Sequence, residues 1–317
     1  MTEQPSGKVS IVGAGSVGTA IAYACLIRGT ASALALFDMN GKKVAAEVLD
    51  LNHGSQFVPS CTVTGSDDIA VTAGSTVIAV TAGAKQKPGQ SRLDLAATNV
   101  AMAQQLTPQL LEHSPDAVII QVTNPVDLVT YASAKSVDLP PGRIFGSGTV
   151  LDSSRFRYLI AERAKVNVGN VHGYIVGEHG DSELPLWSSV SIGGMPAESF
   201  RRHGEVVFDE ATRRQIGTEV VNAAYQIIEG KGATNLAIGL ATARIIEAVM
   251  GDQHRVLPIS TVQTGAYEIS GVALSLPTLV SRKGAGDVLD IPLAVPELLG
   301  LQSSAKTLRE AQASLNI

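Results

Sequence analysis

The run Gly13-Ala14-Gly15-Ser16-Val17-Gly18 constrains this chain more than any other feature. It follows the apolar, β-branched stretch 9–12 and opens a helical pattern at Ser16. A glycine-rich turn between a buried strand and a helix gives each glycine its own task. Gly13 permits the tight turn, Gly15 lets backbone approach a pyrophosphate, and Gly18 lets the helix pack close to the strand. N–H groups at the helix start then face the phosphates. Asp38 follows Gly18 by about 20 residues, at the end of the next apolar stretch. A carboxylate there accepts hydrogen bonds from ribose hydroxyls and repels a 2′-phosphate, so NAD is expected over NADP.

The segments around this turn alternate. Stretches 9–12, 34–37, 77–80 and 117–122 read as buried strands, being short, apolar and bounded by turn residues. Helical patterns over 16–28, 42–52, 95–111 and 126–136 lie between or after them. Strand, helix, strand, helix in this order predicts an α/β fold with an N-terminal Rossmann doubly wound parallel sheet. The second half has a different rhythm. Helices are expected over 151–164, 210–228, 235–250 and 294–314, and strands over 171–176, 188–192, 256–262 and 272–280. An NAD-binding domain over residues 1–148 and a C-terminal α+β substrate domain over 149–317 are therefore expected, divided at Gly146-Ser147-Gly148.

Charge narrows the function classes. The net charge of -5 is spread along the chain with no basic stripe, which argues against a nucleic-acid partner. An acidic substrate must then be gripped by particular arginines, because the overall field does not attract it. No stretch reaches the ~18 uninterrupted apolar residues of a membrane helix. The polar opening at 1–7 does not resemble a secretory leader, so a soluble cytoplasmic protein is expected. Cys25 and Cys61 fit no metal spacing and are expected as reduced thiols, with no metal.

Three segments carry groups suited to chemistry. In Gly177-Glu178-His179-Gly180-Asp181 an imidazole stands between glycines, able to exchange a proton near neutral pH. In Leu151-Asp152-Ser153-Ser154-Arg155, Asp152 and Arg155 project from one helix face. An aspartate orients an imidazole, and a guanidinium fork grips a carboxylate. Spacing alone also allows a plain surface ion pair. The segment from Gly83 to Arg92 is punctuated by Gly and Pro and follows the strand at 77–80, where doubly wound sheets place their ligands.

Together these segments resemble the lactate/malate dehydrogenase family, and within it most closely bacterial L-lactate dehydrogenases of the allosteric type. The resemblance rests on GAGSVG, TAGAKQKPGQSRLDL, VTNPVDLVTYA, GSGTVLDSSRFR, GEHGDSELPLWS and KGATNLAIGLA, in the family's order. It implies interconversion of pyruvate and (S)-lactate with NAD. His179 is then the general acid of pyruvate reduction, with Asp152 as its partner. Arg155 grips the substrate carboxylate, and Arg92 polarises the carbonyl. Asn124 orients substrate and nicotinamide, Thr234 lines the substrate pocket and Ile238 borders the nicotinamide. Gly13, Gly15, Val17, Gly18, Asp38 and Gly83 complete the implied cofactor contacts. Gln86 stands where malate dehydrogenases usually carry Arg, so pyruvate is expected over oxaloacetate. Arg157 and His172 match positions that bind fructose 1,6-bisphosphate across a subunit interface, which implies an activated homotetramer. His53 lies near the end of a helix that packs at the family's dimer interface.

Two other readings remain. One is an NAD-binding protein without dehydrogenase activity, since fold alone does not guarantee function. The other is an NAD-dependent glycosidase on a related scaffold. Such enzymes hold a metal by Cys and His in the second domain, whereas both cysteines here fall in the cofactor half.

Overall fold

The computed structural model describes residues 7–84 and 92–317, the side chain of Arg92 excepted. The first half runs β1 (Lys8–Val12), α1 (Ser16–Arg28), β2 (Ala33–Phe37), α2 (Gly41–His53), β3 (Thr62–Ser66), β4 (Val77–Val80), α3 (Arg92–His113), β5 (Val118–Gln121), α4 (Val126–Lys135) and β6 (Ile144–Gly146). These six strands are all parallel, in the order β3-β2-β1-β4-β5-β6. Strands β4 and β5 are buried at every position, as expected of parallel strands covered on both faces.

The second half continues with α5 (Val150–Ala164), the short strands β7 (Val171–His172), β8 (Ile175–Val176), β9 (Leu184–Pro185), β10 (Ser191–Ile192), β11 (Met195–Pro196), β12 (Arg201–Arg202) and β13 (Glu205–Val206), then α6 (Glu210–Lys231) and α7 (Leu236–Met250). Strands β14 (Arg255–Thr264), β15 (Ser270–Ser281) and β16 (Gly284–Val288) and helix α8 (Val295–Leu315) close the chain. These last three strands are antiparallel and join the parallel sheet at its edge, where Ser260 of β14 pairs with Gly146 of β6. One sheet of nine strands thus passes through both halves.

Apolar packing explains the layers. One face of the sheet packs Ile21, Ala22 and Cys25 of α1 and Ile245, Ile246 and Val249 of α7 against Val9, Ile11, Leu34 and Val77. Small residues let α7 approach α1 closely, and a Cβ at Gly239 would stand 2.8 Å from the Cβ of Ala20. The other face packs Val12, Ile78, Val80 and Ile119 against Leu110 of α3. A third core, away from the sheet, gathers Phe156, Ile160, Val171, Phe200 and Phe208. Among the described residues no helix is long and apolar enough to cross a membrane.

Several elements depart from the sequence expectations, among them the short strands β9, β11, β12 and β13 and the edge strand β16, none of which was expected. Strands β3 and β6 were not expected. The first is a half-polar edge strand whose positions alternate in exposure, and the second is only three residues long. The expected strand at 171–176 breaks into β7 and β8 around Gly173, whose missing side chain leaves room for Phe156 and Val190. The expected strand at 188–192 is a 3₁₀ turn over Trp187–Ser189 followed by β10.

Candidate active site

The glycine-rich turn sits at the carboxyl ends of the parallel strands, as its position after β1 requires. Gly13 adopts a φ of +99°, and its N–H donates to the carbonyl of Phe37 at 2.7 Å. The Thr81 hydroxyl donates to the carbonyl of Gly13 at 2.9 Å. A Cβ on Gly18 would fall 1.9 Å from that same carbonyl oxygen, so only glycine lets α1 start this close to the strand. A Cβ on Gly15 would meet nothing within 4 Å. Crowding at Gly13 and Gly18 with open space at Gly15 is the shape of a cradle for a pyrophosphate, at a helix N-terminus that favours negative charge. Val17, on the first turn of α1, packs against the core beneath.

Asp38 follows β2. One carboxylate oxygen accepts the Ala14 N–H at 2.8 Å and the other the Asn40 N–H at 2.9 Å. Both bonds fix the carboxylate beside the turn and leave each oxygen a lone pair for a ribose hydroxyl. Ile238 lies on α7 and packs against the same core as Val17. These residues fit NAD.

The strand ends carry the cradle toward the second half. Past β4, Gly83 is pressed against Thr123, where a Cβ would lie 2.5 Å from the threonine methyl. Asn99 of α3 accepts the Ala84 N–H at 2.8 Å and donates to the Asn124 carbonyl at 2.8 Å. Asn99 thereby clamps two strand-end loops together, a role the sequence did not suggest. A single asparagine within a helical pattern carries no signal. The peptide Asn124–Pro125 is cis.

The first turns of α5 carry Asp152 and Arg155, which join His179 in a compact polar cluster. Asp152 is buried, with a side chain 2% exposed. One of its oxygens bonds His179 Nδ1 at 2.6 Å, and the other accepts from Arg155 Nη1 at 2.6 Å. The pairing of Asp152 with Arg155 is thus no isolated surface contact, since it shares its carboxylate with the imidazole. Below His179, Asp127 of α4 accepts the His179 backbone N–H at 2.7 Å and the Ser260 hydroxyl at 2.5 Å. The His179 loop is also held from α8. Ser304 accepts the Glu178 N–H at 2.8 Å, and Ser182 donates to the Glu178 carboxylate. The loop's base is stitched to β15, where Gly177 and Ser275 exchange backbone hydrogen bonds.

Electrostatics set the protonation states. Burial works against an imidazolium at His179, yet the charge and hydrogen bond of Asp152, with Asp127 and Glu183 beyond, lift its pKa to about 9. Asp152 is also penalised by burial, but His179 and Arg155 hold it below the usual carboxylate range. Glu183 is pushed up to about 8 by burial and by the charge of Asp152. One of its carboxylate oxygens is buried without a hydrogen-bond partner among the described residues. Asp152, His179 and Glu183 each offer an atom within 4.8 Å of the others, a spacing that a metal could use. The Asp152 and His179 atoms are instead bonded to each other, and the second Asp152 oxygen to Arg155.

The remaining predicted residues are scattered. Thr234 is half-buried in the link between α6 and α7. Gln86 lies outside the described residues. Arg92 opens α3, and its side chain is likewise outside them. Arg157 of α5 donates from Nε to the Gly173 carbonyl at 2.8 Å, and its guanidinium lies 5.2 Å from the centre of the Tyr174 ring. His172, one residue before Gly173, is exposed on β7. Arg157 thus bonds the backbone of the residue that follows His172. His53 ends α2 and is exposed beside a groove of about 540 Å³ lined by Tyr23, Leu26, Ile27, Leu51 and Phe57.

A dinucleotide cradle joined through Asn99, Asn124 and Asp127 to a buried His–Asp–Arg cluster marks an NAD-dependent oxidoreductase. The lactate/malate dehydrogenase NAD binding domain matches residues 7–146, and that family's alpha/beta C-terminal domain matches residues 149–315. This chain therefore belongs to the lactate/malate dehydrogenase family. It is 48% identical to an L-lactate dehydrogenase of Bifidobacterium animalis, over 96% of each chain. It is 46% identical to one of Synechococcus, covering 97% of this chain and 99% of that one. Among solved structures, a minor L-lactate dehydrogenase of Enterococcus mundtii superposes with a TM-score of 0.93 at 36% identity, over 98% of both chains.

Proposed function

We propose that the protein is an L-lactate dehydrogenase, interconverting pyruvate and (S)-lactate. The observation that carries this is the carboxylate of Asp152 shared between His179 and Arg155 by two bonds of 2.6 Å. An imidazole and a guanidinium on one carboxylate suit a proton donor beside a carboxylate grip, and the relatives' names point to the reaction. Gly13, Gly15, Val17, Gly18, Asp38, Gly83, Asn124 and Ile238 would hold NAD, which when bound would give hydride in its reduced form or take it in its oxidised form. In reduction His179 gives its proton to the carbonyl oxygen, and in lactate oxidation it takes one back. Asp152 holds the ring in one orientation and stabilises its charged form. Arg155 binds the substrate carboxylate through its free guanidinium edge. Arg92 polarises the carbonyl, and Thr234 bounds the pocket. Gln86 leaves the second carboxylate of oxaloacetate without a counter-charge, at a cost of about 3–5 kcal/mol for an unpaired buried ion.

The same reading makes the protein a cytoplasmic homotetramer serving fermentation, with domains meeting near Gly148. Arg157 and His172 bind fructose 1,6-bisphosphate as an activator. In support, Arg157 bonds the carbonyl of the residue that follows the exposed His172, and a guanidinium and an imidazole suit phosphate. NADH consumption with pyruvate and with oxaloacetate, each with and without the bisphosphate, tests all of this. Pyruvate should be preferred by about 10²-fold or more, and the bisphosphate should lower its half-saturating concentration. Equal efficiency on both acids would remove the substrate assignment. A saturation curve unmoved by the bisphosphate would remove the effector.

A further inference from the structure

We propose that Asp127 is a positioning residue for the reaction: it anchors His179 from the nucleotide-binding half and so aligns proton delivery with the end of β5. The inference rests on the reading of His179 as proton donor. Asp127 is 3% exposed and Ser260 is fully buried. A carboxylate this deep needs partners, and it has two from distant parts of the chain. The His179 N–H donates to Oδ2 at 2.7 Å, and the Ser260 hydroxyl to Oδ1 at 2.5 Å. Asp127 also sits in the first turn of α4, where the helix end favours a negative charge.

The placement explains why a carboxylate is spent there. Asn124 leads into α4, so α4 carries both the Asn124 segment and the anchor of His179. Among the described residues, the other hold on the histidine from outside its loop is the side-chain bond to Asp152 of α5. A ring pinned at Nδ1 alone can still swing about that bond. Pinning its backbone N–H from a second element, α4, limits that swing and so where Nε2 points. Misplacing a reacting group by about 1 Å costs up to about 10²-fold in rate.

Among the described residues, the charged groups around this pair are few. His179 faces Asp152 and Arg155 of α5, Asp127 of α4, and Glu183 of its own segment. Asp127 faces His179, Ser260 of β14 and Glu178. Burial pushes the Asp127 carboxyl up to about 6, so above that pH it adds negative charge near the imidazole.

The test is Asp127→Asn in the full-length protein. An amide keeps the shape, can accept from His179 and can donate to Ser260, but it removes the charge and reverses one bond. We expect kcat for pyruvate reduction to fall about tenfold. The alkaline limb of the pH profile should move down by about half a pH unit or more, with NADH affinity, read by fluorescence, within about twofold of wild type. Ser260→Ala, which frees one carboxylate oxygen and keeps the charge, should lower kcat about threefold with the limb nearly in place. Wild-type kcat and limb in both variants would overturn the proposal. So would a fall in melting temperature and NADH affinity with an unmoved limb, which marks a purely structural residue. His179→Asn in the same assay checks the underlying reading, because retained turnover there removes the histidine and its anchor together.

Discussion

Replacing Asp152 by Asn separates the two tasks of that carboxylate, and the size of each follows from the site. With Asp152 present, His179 has a pKa of about 9 despite its burial. Without it, the imidazole returns to about 6.5 or below, because burial then works with less opposition. Reduction needs the imidazolium. At pH 6 both proteins are mostly protonated, at pH 7 the variant keeps about a quarter of its sites charged, and at pH 8 about 3%. The protonation loss is thus about fourfold at pH 7 and about thirtyfold at pH 8. A second loss, independent of pH, comes from the freed ring and from Arg155 losing its partner at 2.6 Å. By analogy with other histidine–aspartate pairs it amounts to about 10²–10⁴. The assay is kcat/KM for pyruvate from pH 5.5 to 9.5 for both proteins. The ratio of wild type to variant should climb with pH from a plateau below 6. In lactate oxidation the sign reverses, and the acid limb of the variant should move toward lower pH. Parallel profiles, displaced vertically with no relative slope, would refute the electrostatic account of this pair.

Three other outcomes are expected. Arg155→Lys should raise the KM for pyruvate by about 10–10²-fold while NADH binding holds, because an ammonium cannot reproduce the planar fork; an unchanged KM would place the substrate carboxylate elsewhere. Gly18→Ala should weaken NADH binding at least about tenfold and lower the melting temperature, since overpacking typically costs about 1–3 kcal/mol and the new methyl would lie 1.9 Å from the Gly13 carbonyl oxygen. Wild-type affinity and stability would show that the turn can yield. Gln86→Arg should raise the preference for oxaloacetate relative to pyruvate by on the order of 10²-fold; an unmoved ratio would detach residue 86 from the pocket.

The parallel core was legible because its strands leave a strong local trace. Residues 77–80 and 118–121 are apolar at nearly every position, as strands buried on both faces must be. Strand β3 left almost none: Thr62-Val63-Thr64-Gly65-Ser66 has a single fully buried residue. The joining of β14 to β6 was equally hidden, since one pairing between Ser260 and Gly146 decides it and no periodicity records it. The site divides in the same way. Gly13, Gly18 and Asp38 were readable because turn geometry demands them at those spacings. Asp152, Arg155 and His179 had suitable chemistry, but only the resemblance could say that they meet. Asn99 and Asp127 were invisible. Asp127 finds its partners 52 and 133 positions away, and a helix start that favours its charge does not point to either of them. Polar contacts of this length belong to the folded chain and not to any window of it.

The nine-stranded sheet has a mechanical consequence. Halves joined within one sheet are constrained against rocking as hinged lobes do, because such a rotation would break the Ser260–Gly146 pairing that joins β14 to β6. The frame around the histidine is therefore stiff on the scale of a whole domain. Heat should dismantle it in one cooperative step, with neither half melting ahead of the other.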